Sequence, residues 1–221
     1  MLRATPARVD RPCRHNLTDE LPGRECALDF ECGACEMHDT LRKLNPASTD
    51  TIDLYPFGLF YPLTRQYHRG HTWVEEGASN TYTIGLDAIG ERLVGHATTV
   101  ELPATGTVVY ANKPAFTILS NGTAIPITSP VDGIVTQTGG PESGFYLKVR
   151  PIKGWIDTTH LLREYEVQPW LSHEMDRLLH SIGPDNVSSR LPDGGVLVTD
   201  LPRAFPDADW TYIWPSMFNL K

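Results

Sequence analysis

The sequence predicts a mainly β fold with added α structure, and three observations carry that expectation. The 221 residues include 18 prolines and 18 glycines, a density of turn formers that suits short strands better than a helical bundle. Short runs rich in β-branched and aromatic side chains recur: Thr81-Tyr82-Thr83-Ile84-Gly85, Val108-Val109-Tyr110 and Phe145-Tyr146-Leu147-Lys148-Val149. Asn121-Gly122 joins Ala115-Phe116-Thr117-Ile118-Leu119 to Ala124-Ile125-Pro126-Ile127-Thr128. That is a strong hairpin signal, because a type I′ turn needs positive φ at both central residues and these two tolerate it best.

Four segments follow one another. Residues 1–45 hold all four cysteines, and residues 46–66 form an apolar, proline-punctuated linker. The linker's aromatics, from Leu54-Tyr55-Pro56 to Phe60-Tyr61-Pro62, are expected to lie against a neighbouring surface, since an exposed run would invite aggregation. Residues 67–151 form the β domain, with a turn from Pro130 to Gly133 and a short helix from Asp87 to Leu93 capped by Asp87. Residues 152–221 form a helical extension. In it Leu171, Met175, Leu178, Leu179 and Ile182 fall at helical spacing, with Pro169 near the start and Gly183-Pro184 at the stop. A turn is expected at Asp193-Gly194-Gly195, before Val196-Leu197-Val198. Trp210, Trp214, Met217 and Phe218 share one face of a last helix, which Pro215 keeps short or kinked. That stripe is expected to pack on the chain's own β domain in preference to a partner.

Composition narrows the function. Hydrophobic residues make up 40% and charged residues 21%, as in ordinary globular proteins. The net charge of −8 argues against nucleic acid as a partner, since that normally needs a basic face. No apolar stretch follows the N-terminal arginines and no eighteen apolar residues run together, so neither a secretory signal nor a transmembrane helix is expected. Peripheral association with a membrane complex stays open, and the expected compartment is the cytoplasm.

Several motifs then fall in one order: Tyr67-His68, His71-Thr72-Trp73-Val74, Gly85, Leu93-Val94-Gly95, Val100-Glu101-Leu102-Pro103, Gly106 and Ser129-Pro130-Val131-Asp132-Gly133. Leu147-Lys148-Val149-Arg150-Pro151 closes the series. Over some eighty-five residues the chain resembles the H protein of the glycine cleavage system. The resemblance implies a lipoyl-type barrel-sandwich hybrid of two small antiparallel sheets. In the family a lysine at an exposed hairpin tip carries lipoate. Counting back from Pro130-Val131-Asp132-Gly133, that position is Gly122, within Ser120-Asn121-Gly122-Thr123. Neither Asn121 nor Gly122 offers the primary amine that an amide link to lipoate needs, and Lys113 sits beside Pro114 away from the tip. The family's longer segment before its closing strand is here only Gly139-Gly140-Pro141-Glu142-Ser143-Gly144. No lipoate is therefore expected.

The chemistry that remains lies in Cys13, Cys26, Cys32 and Cys35. Random placement would confine four cysteines to the first 35 positions with a probability of about one in a thousand or less. Cys32-Gly33-Ala34-Cys35 has the spacing of a metal knuckle. The segment offers few apolar residues for burial (Leu17, Leu21, Leu28, Phe30, Met37, Leu41, Leu44), which favours a staple. Zinc is the leading assignment, an iron–sulfur cluster the alternative, and free or disulfide-paired cysteines the third reading. His15 and His38 are reserve ligands. Cys32 and Cys35 lie in no βαβ pattern, so a thioredoxin-like site is disfavoured. His68 and His71 read as parts of a strand, with no acidic partner at useful spacing. Asp87, Glu91 and Glu101 read as a helix cap, a solvated helix face and a turn residue. With no GxSxG, P-loop or Rossmann fingerprint, the expected function is non-catalytic: a scaffold or accessory subunit that binds a protein partner or larger complex. The alternative is an electron-transfer protein built on a four-cysteine cluster.

Overall fold

The structure, a computed structural model, describes residues 12–44, 54, 56–97, 99–183 and 197–219. The turn expected at Asp193-Gly194-Gly195 lies outside them, as does most of the linker before Pro56. Among the described residues nine strands form two antiparallel sheets. The larger takes the order β1-β2-β3-β9-β8-β5, from Gln66–His68 (β1), Thr72–Glu76 (β2), Tyr82–Leu86 (β3), Val108–Val109 (β5), Gly133–Gly140 (β8) and Phe145–Arg150 (β9). The smaller takes the order β4-β6-β7, from Thr99–Glu101, Pro114–Ser120 and Thr123–Thr128. This is the mainly β, lipoyl-type barrel-sandwich architecture with added helices.

Alternation explains the sandwich. Along β6 Phe116, Ile118 and Ser120 are buried, and their neighbours Ala115, Thr117 and Leu119 are only partly so. Ile125 and Ile127 of β7, Ile84 of β3 and Leu147 and Val149 of β9 enter the same core, each at 1% exposure or less. The hairpin register runs Ser120↔Thr123, which leaves Asn121 and Gly122 as a two-residue turn. Their φ values of 48° and 78° give the turn its two left-handed residues, as the sequence predicts. Gly85 is required by packing: a Cβ there would stand 2.3 Å from the Trp73 ring.

Among the described residues six helices surround the sheets: Arg14–Leu17 (α1), Glu36–Leu44 (α2), Ala88–Val94 (α3), Glu164–Ile182 (α4), Leu201–Ala204 (α5) and Trp210–Met217 (α6). Asp87 caps α3 by accepting from Gly90 N at 2.7 Å, as expected. In α4 the expectation is corrected. The helix begins at Glu164, five residues before Pro169, because Glu166 reaches back to the Arg163 N–H at 2.6 Å and caps the first turn. Pro169 is carried inside the helix at the cost of one backbone bond.

The C-terminal aromatic stripe packs on the chain itself. Trp214 donates its indole N–H to Leu93 O at 2.8 Å, and Trp210, Trp214, Met217 and Phe218 are all buried. Of the linker, Leu59 and Tyr61 are buried while Phe57 and Phe60 stay partly exposed. No described helix is long and apolar enough to cross a membrane.

Candidate functional site

The N-terminal segment is held by short local turns that bring its cysteines together. Cys13 precedes α1, accepts from Asn16 N and Leu17 N, and donates its own N–H to Arg24 O at 2.9 Å. The chain therefore doubles back to place Cys26 nearby. Asp29 and Phe30 both adopt positive φ (47° and 69°), an uncommon pair for non-glycine residues. This bend lets Phe30 N donate to Cys26 Sγ at 3.2 Å and Phe30 O accept from Cys32 N at 2.8 Å. Cys32 opens a 3₁₀ turn, and Cys35 follows at the foot of α2. All four cysteines are free thiols, and together with His15 and His38 they line one cavity of about 40 Å³.

That donor set suits a thiophilic ion or cluster, but no three of the sulfurs lie within 4.8 Å of one another. Among the described residues, only His15, Glu20 and Glu166 bring three His, Cys, Asp or Glu ligand atoms within 4.8 Å of one another. Four thiolates on one zinc at about 2.3 Å would stand about 3.8 Å apart, so a single ion would have to draw the cysteines inward. A cluster interposes its own iron and sulfide atoms and holds thiolates farther apart. Burial pushes the Cys32 thiol up to about 11 and raises Cys13 as well.

The His15, Glu20 and Glu166 grouping carries ion pairs. Glu166 is fully buried and pairs with Arg14, and it accepts from Arg163 Nη2 at 3.0 Å. Burial pushes its carboxyl up, but the two guanidinium groups overcome this and hold it below the usual range. His15 Nδ1 lies 2.5 Å from Glu20 Oε2, and His15 Nε2 lies 2.9 Å from His38 Nδ1. The remaining nitrogen of His38, Nε2, is buried without a partner, and burial with Arg14 nearby pushes this imidazole down to about 4. The sequence names His15 and His38 only as reserves; the fold joins them into one hydrogen-bonded pair at the cavity wall.

A second cluster lies in the core. His71 Nδ1 meets Asp87 Oδ2 at 3.0 Å, and His71 Nε2 faces Glu174 Oε2 at 3.5 Å, too long for a well-formed hydrogen bond. Glu174 Oε1 accepts from Arg177 Nη1 at 2.6 Å, and Arg177 reaches Ser216 in α6. The expectation that His71 lacks an acidic partner is thereby corrected: the fold supplies two, from 16 and 103 positions away. His71, Asp87 and Glu174 side chains are each 0% exposed, so the group works as an internal clamp without room for a substrate. His68 is also buried, its Nδ1 accepting from Gly70 N and its Nε2 donating to Asn112 Oδ1 at 2.9 Å. Glu91 is solvent-facing, and Glu101 ends β4 in place of a turn.

The hairpin tip is open: nothing lies within 4 Å of a Cβ built on Gly122, and Asn121 is exposed. Lys113 immediately precedes β6, at the end of that strand opposite the tip.

The clamp has a pH signature. Burial lowers the His71 pKa, but Asp87 and then Glu174 outweigh it and raise it to about 9. A folded-state value above the unfolded one, about 6.5, means the stabilisation is complete below pH 6.5 and fades as pH rises through about 9. The urea midpoint should therefore fall between those two pH values, and His71→Gln should flatten that decline. An unchanged slope in the variant would exclude the charged clamp.

The chain has relatives that can be named. The model of the glycine cleavage H-protein family matches residues 65–174. A glycine cleavage system H protein of Cronobacter sakazakii (strain ATCC BAA-894) is 33% identical over 109 residues, 48% of this chain and 84% of that protein. One from Enterobacter sp. (strain 638) is 29% identical over 113 residues, 50% of this chain and 88% of that protein. A crystal structure of a Mycobacterium marinum glycine cleavage system H protein aligns over 54% of this chain and all of its own, at 18% identity and a TM-score of 0.41. With a barrel-sandwich between its cysteine-rich and helical flanks, and relatives matched over most of their own length, the chain belongs to the glycine cleavage H-protein family.

Proposed function

We propose that this chain is a non-catalytic, non-lipoylated H-like scaffold, an accessory subunit that binds a protein partner or larger complex. The observation that carries the reading is the hairpin tip. The position counted from Pro130-Val131-Asp132-Gly133 falls on Gly122, a left-handed residue with no amine, in a turn that is otherwise fully formed. An amide link to lipoate has nothing to attach to there. The barrel is kept and the arm is lost. A net charge of −8 speaks against nucleic acid as the partner, and the cytoplasm remains the proposed compartment.

The cysteine segment joins the scaffold as a metal-bearing module. Leu17 and Phe30 are its only described large apolar side chains that are buried, while Leu28, Met37 and Leu44 are exposed. So thin a core needs another source of order, and thiolate coordination supplies it. Zinc would be held by Cys13, Cys26, Cys32 and Cys35 after the sulfurs close inward. The second reading puts an iron–sulfur cluster on the same four residues, which would make the module an electron carrier.

Intact mass after co-expression with a lipoyl ligase should match the unmodified chain. A lipoyl-sized increment mapped to Lys113 or any other lysine would overturn the reading. Gly122→Lys should cost about 1 kcal/mol, because it places a side chain at positive φ.

Elemental analysis of anaerobically purified protein should find about one zinc per chain, or several irons with brown colour if the cluster is present. Cys32→Ser should lose metal and become protease-sensitive before Asn45 while Trp73 stays protected. Metal-free protein with that segment still ordered would remove the module from the proposal.

A further inference from the structure

Arg69 is a buried cation with no paired carboxylate among the described residues. It belongs to the tight turn His68-Arg69-Gly70-His71 between β1 and β2, closed by His71 N donating to His68 O at 3.0 Å. The residue is 2% exposed. Its Nη2 donates to Asn112 Oδ1 at 2.7 Å, whereas Nε and Nη1 are buried with no partner. Among the described residues, no carboxylate pairs with it. A guanidinium does not shed its proton at ordinary pH, so its charge must be met from elsewhere or remain a standing cost.

Its surroundings indicate the source. The guanidinium lies over the Phe30 ring, 3.1 Å from Cζ to centroid, and stacking recovers only part of the lost hydration. Phe30 is the residue whose backbone binds Cys26 Sγ and Cys32 N, and its ring lines the cysteine cavity. Phe30 thus adjoins both the thiol cavity and a neighbouring one that Arg69 lines together with Asp29. Burial pushes the Arg69 pKa down to about 9, and Cys32, Cys26 and Cys13 are groups that pull it back up. Other cations near the cavity are already spoken for: Arg14 is paired with Glu166, and Arg24 is exposed to water. Glu25 and Glu31 line the cavity on its exposed side.

We propose that Arg69, supplied by the barrel, is the counter-charge of the loaded cysteine centre. The inference rests on the metal reading above. Four thiolates on a divalent ion, or on an oxidised four-iron cluster, leave a dianion, and one buried guanidinium behind Phe30 offsets half of it. Metal occupancy and the seating of the module on the barrel are thereby one coupled event. Thiols without metal are neutral and leave Arg69 unmatched.

The coupling predicts a reversal of sign. Arg69→Met keeps the apolar stem and removes the charge, and Asn112 Oδ1 keeps His68 Nε2 as a donor. In the full metal-loaded chain this variant should unfold at lower temperature than wild type and lose metal to a chelator at about tenfold lower chelator concentration. In the chelator-treated chain the same variant should unfold at equal or higher temperature, since it sheds an unmatched buried charge. Arg69→Gln, which keeps a donor for Asn112, provides a second neutral variant with the same expected reversal. Arg69→Lys should retain metal far better than either. Destabilisation of loaded and metal-free protein alike by both neutral variants, or metal retention equal to wild type, would overturn the role of Arg69 alone. Wild-type protein that binds neither zinc nor iron would overturn it together with the metal reading.

Discussion

Two carboxylates on α4, both fully buried, hold the molecule together. Glu166 takes Arg14 from the N-terminal segment, and Glu174 takes His71 from the barrel while Arg177 ties it to α6. A buried carboxylate costs several kcal/mol to desolvate, and cations with good geometry must meet that cost. Arg14 and His71 come from different parts of the chain, and Arg177 lies on α4 itself. The helix is therefore a spine whose charged positions recruit three otherwise separate parts. Losing one partner would leave a buried charge behind, which is worse than never having placed it there.

Around that spine the apolar packing is conventional. Trp170 is fully buried and its ring lies 5.2 Å from His71, and Leu171 and Leu178 continue the same face into the core. Leu17 of α1 joins this one core cluster, so the cysteine segment is anchored at a single apolar point beside the Arg14 pair. Polar specificity and hydrophobic area act at the same places, which fixes the register of α4 against both neighbours.

What was legible in the sequence was local. Asn121-Gly122 could be read as a type I′ turn because its conformational demand lies in two adjacent residues. The strand from Phe145 and the cap at Asp87 could be read for the same reason: alternation and capping act over a few positions. Long-range electrostatics left no such trace. His71 finds Asp87 and Glu174 only after the sheets and α4 have assembled, and Arg69 looks like any surface arginine until the turn and Phe30 enclose it. Pro169 could be read as near the start of α4, but the start itself was set by the Glu166 cap three residues earlier. The cysteines were legible as a group by their clustering, but their spacing said nothing of how far apart the sulfurs would stand.

The Arg14–Glu166 pair also orders events in time. Its two residues are 152 positions apart, so the cysteines leave the ribosome long before the helix that will seat them exists. At about 5–20 residues per second, the interval is roughly eight to thirty seconds. Throughout it Cys13 and its neighbours belong to a growing chain that still lacks its α4 anchor. The thiol cavity is lined by residues 13–38 alone, and α4 on docking adds the Arg14–Glu166 pair at its edge. Topology alone thus places synthesis of the thiol segment well before that of the helix that seats it.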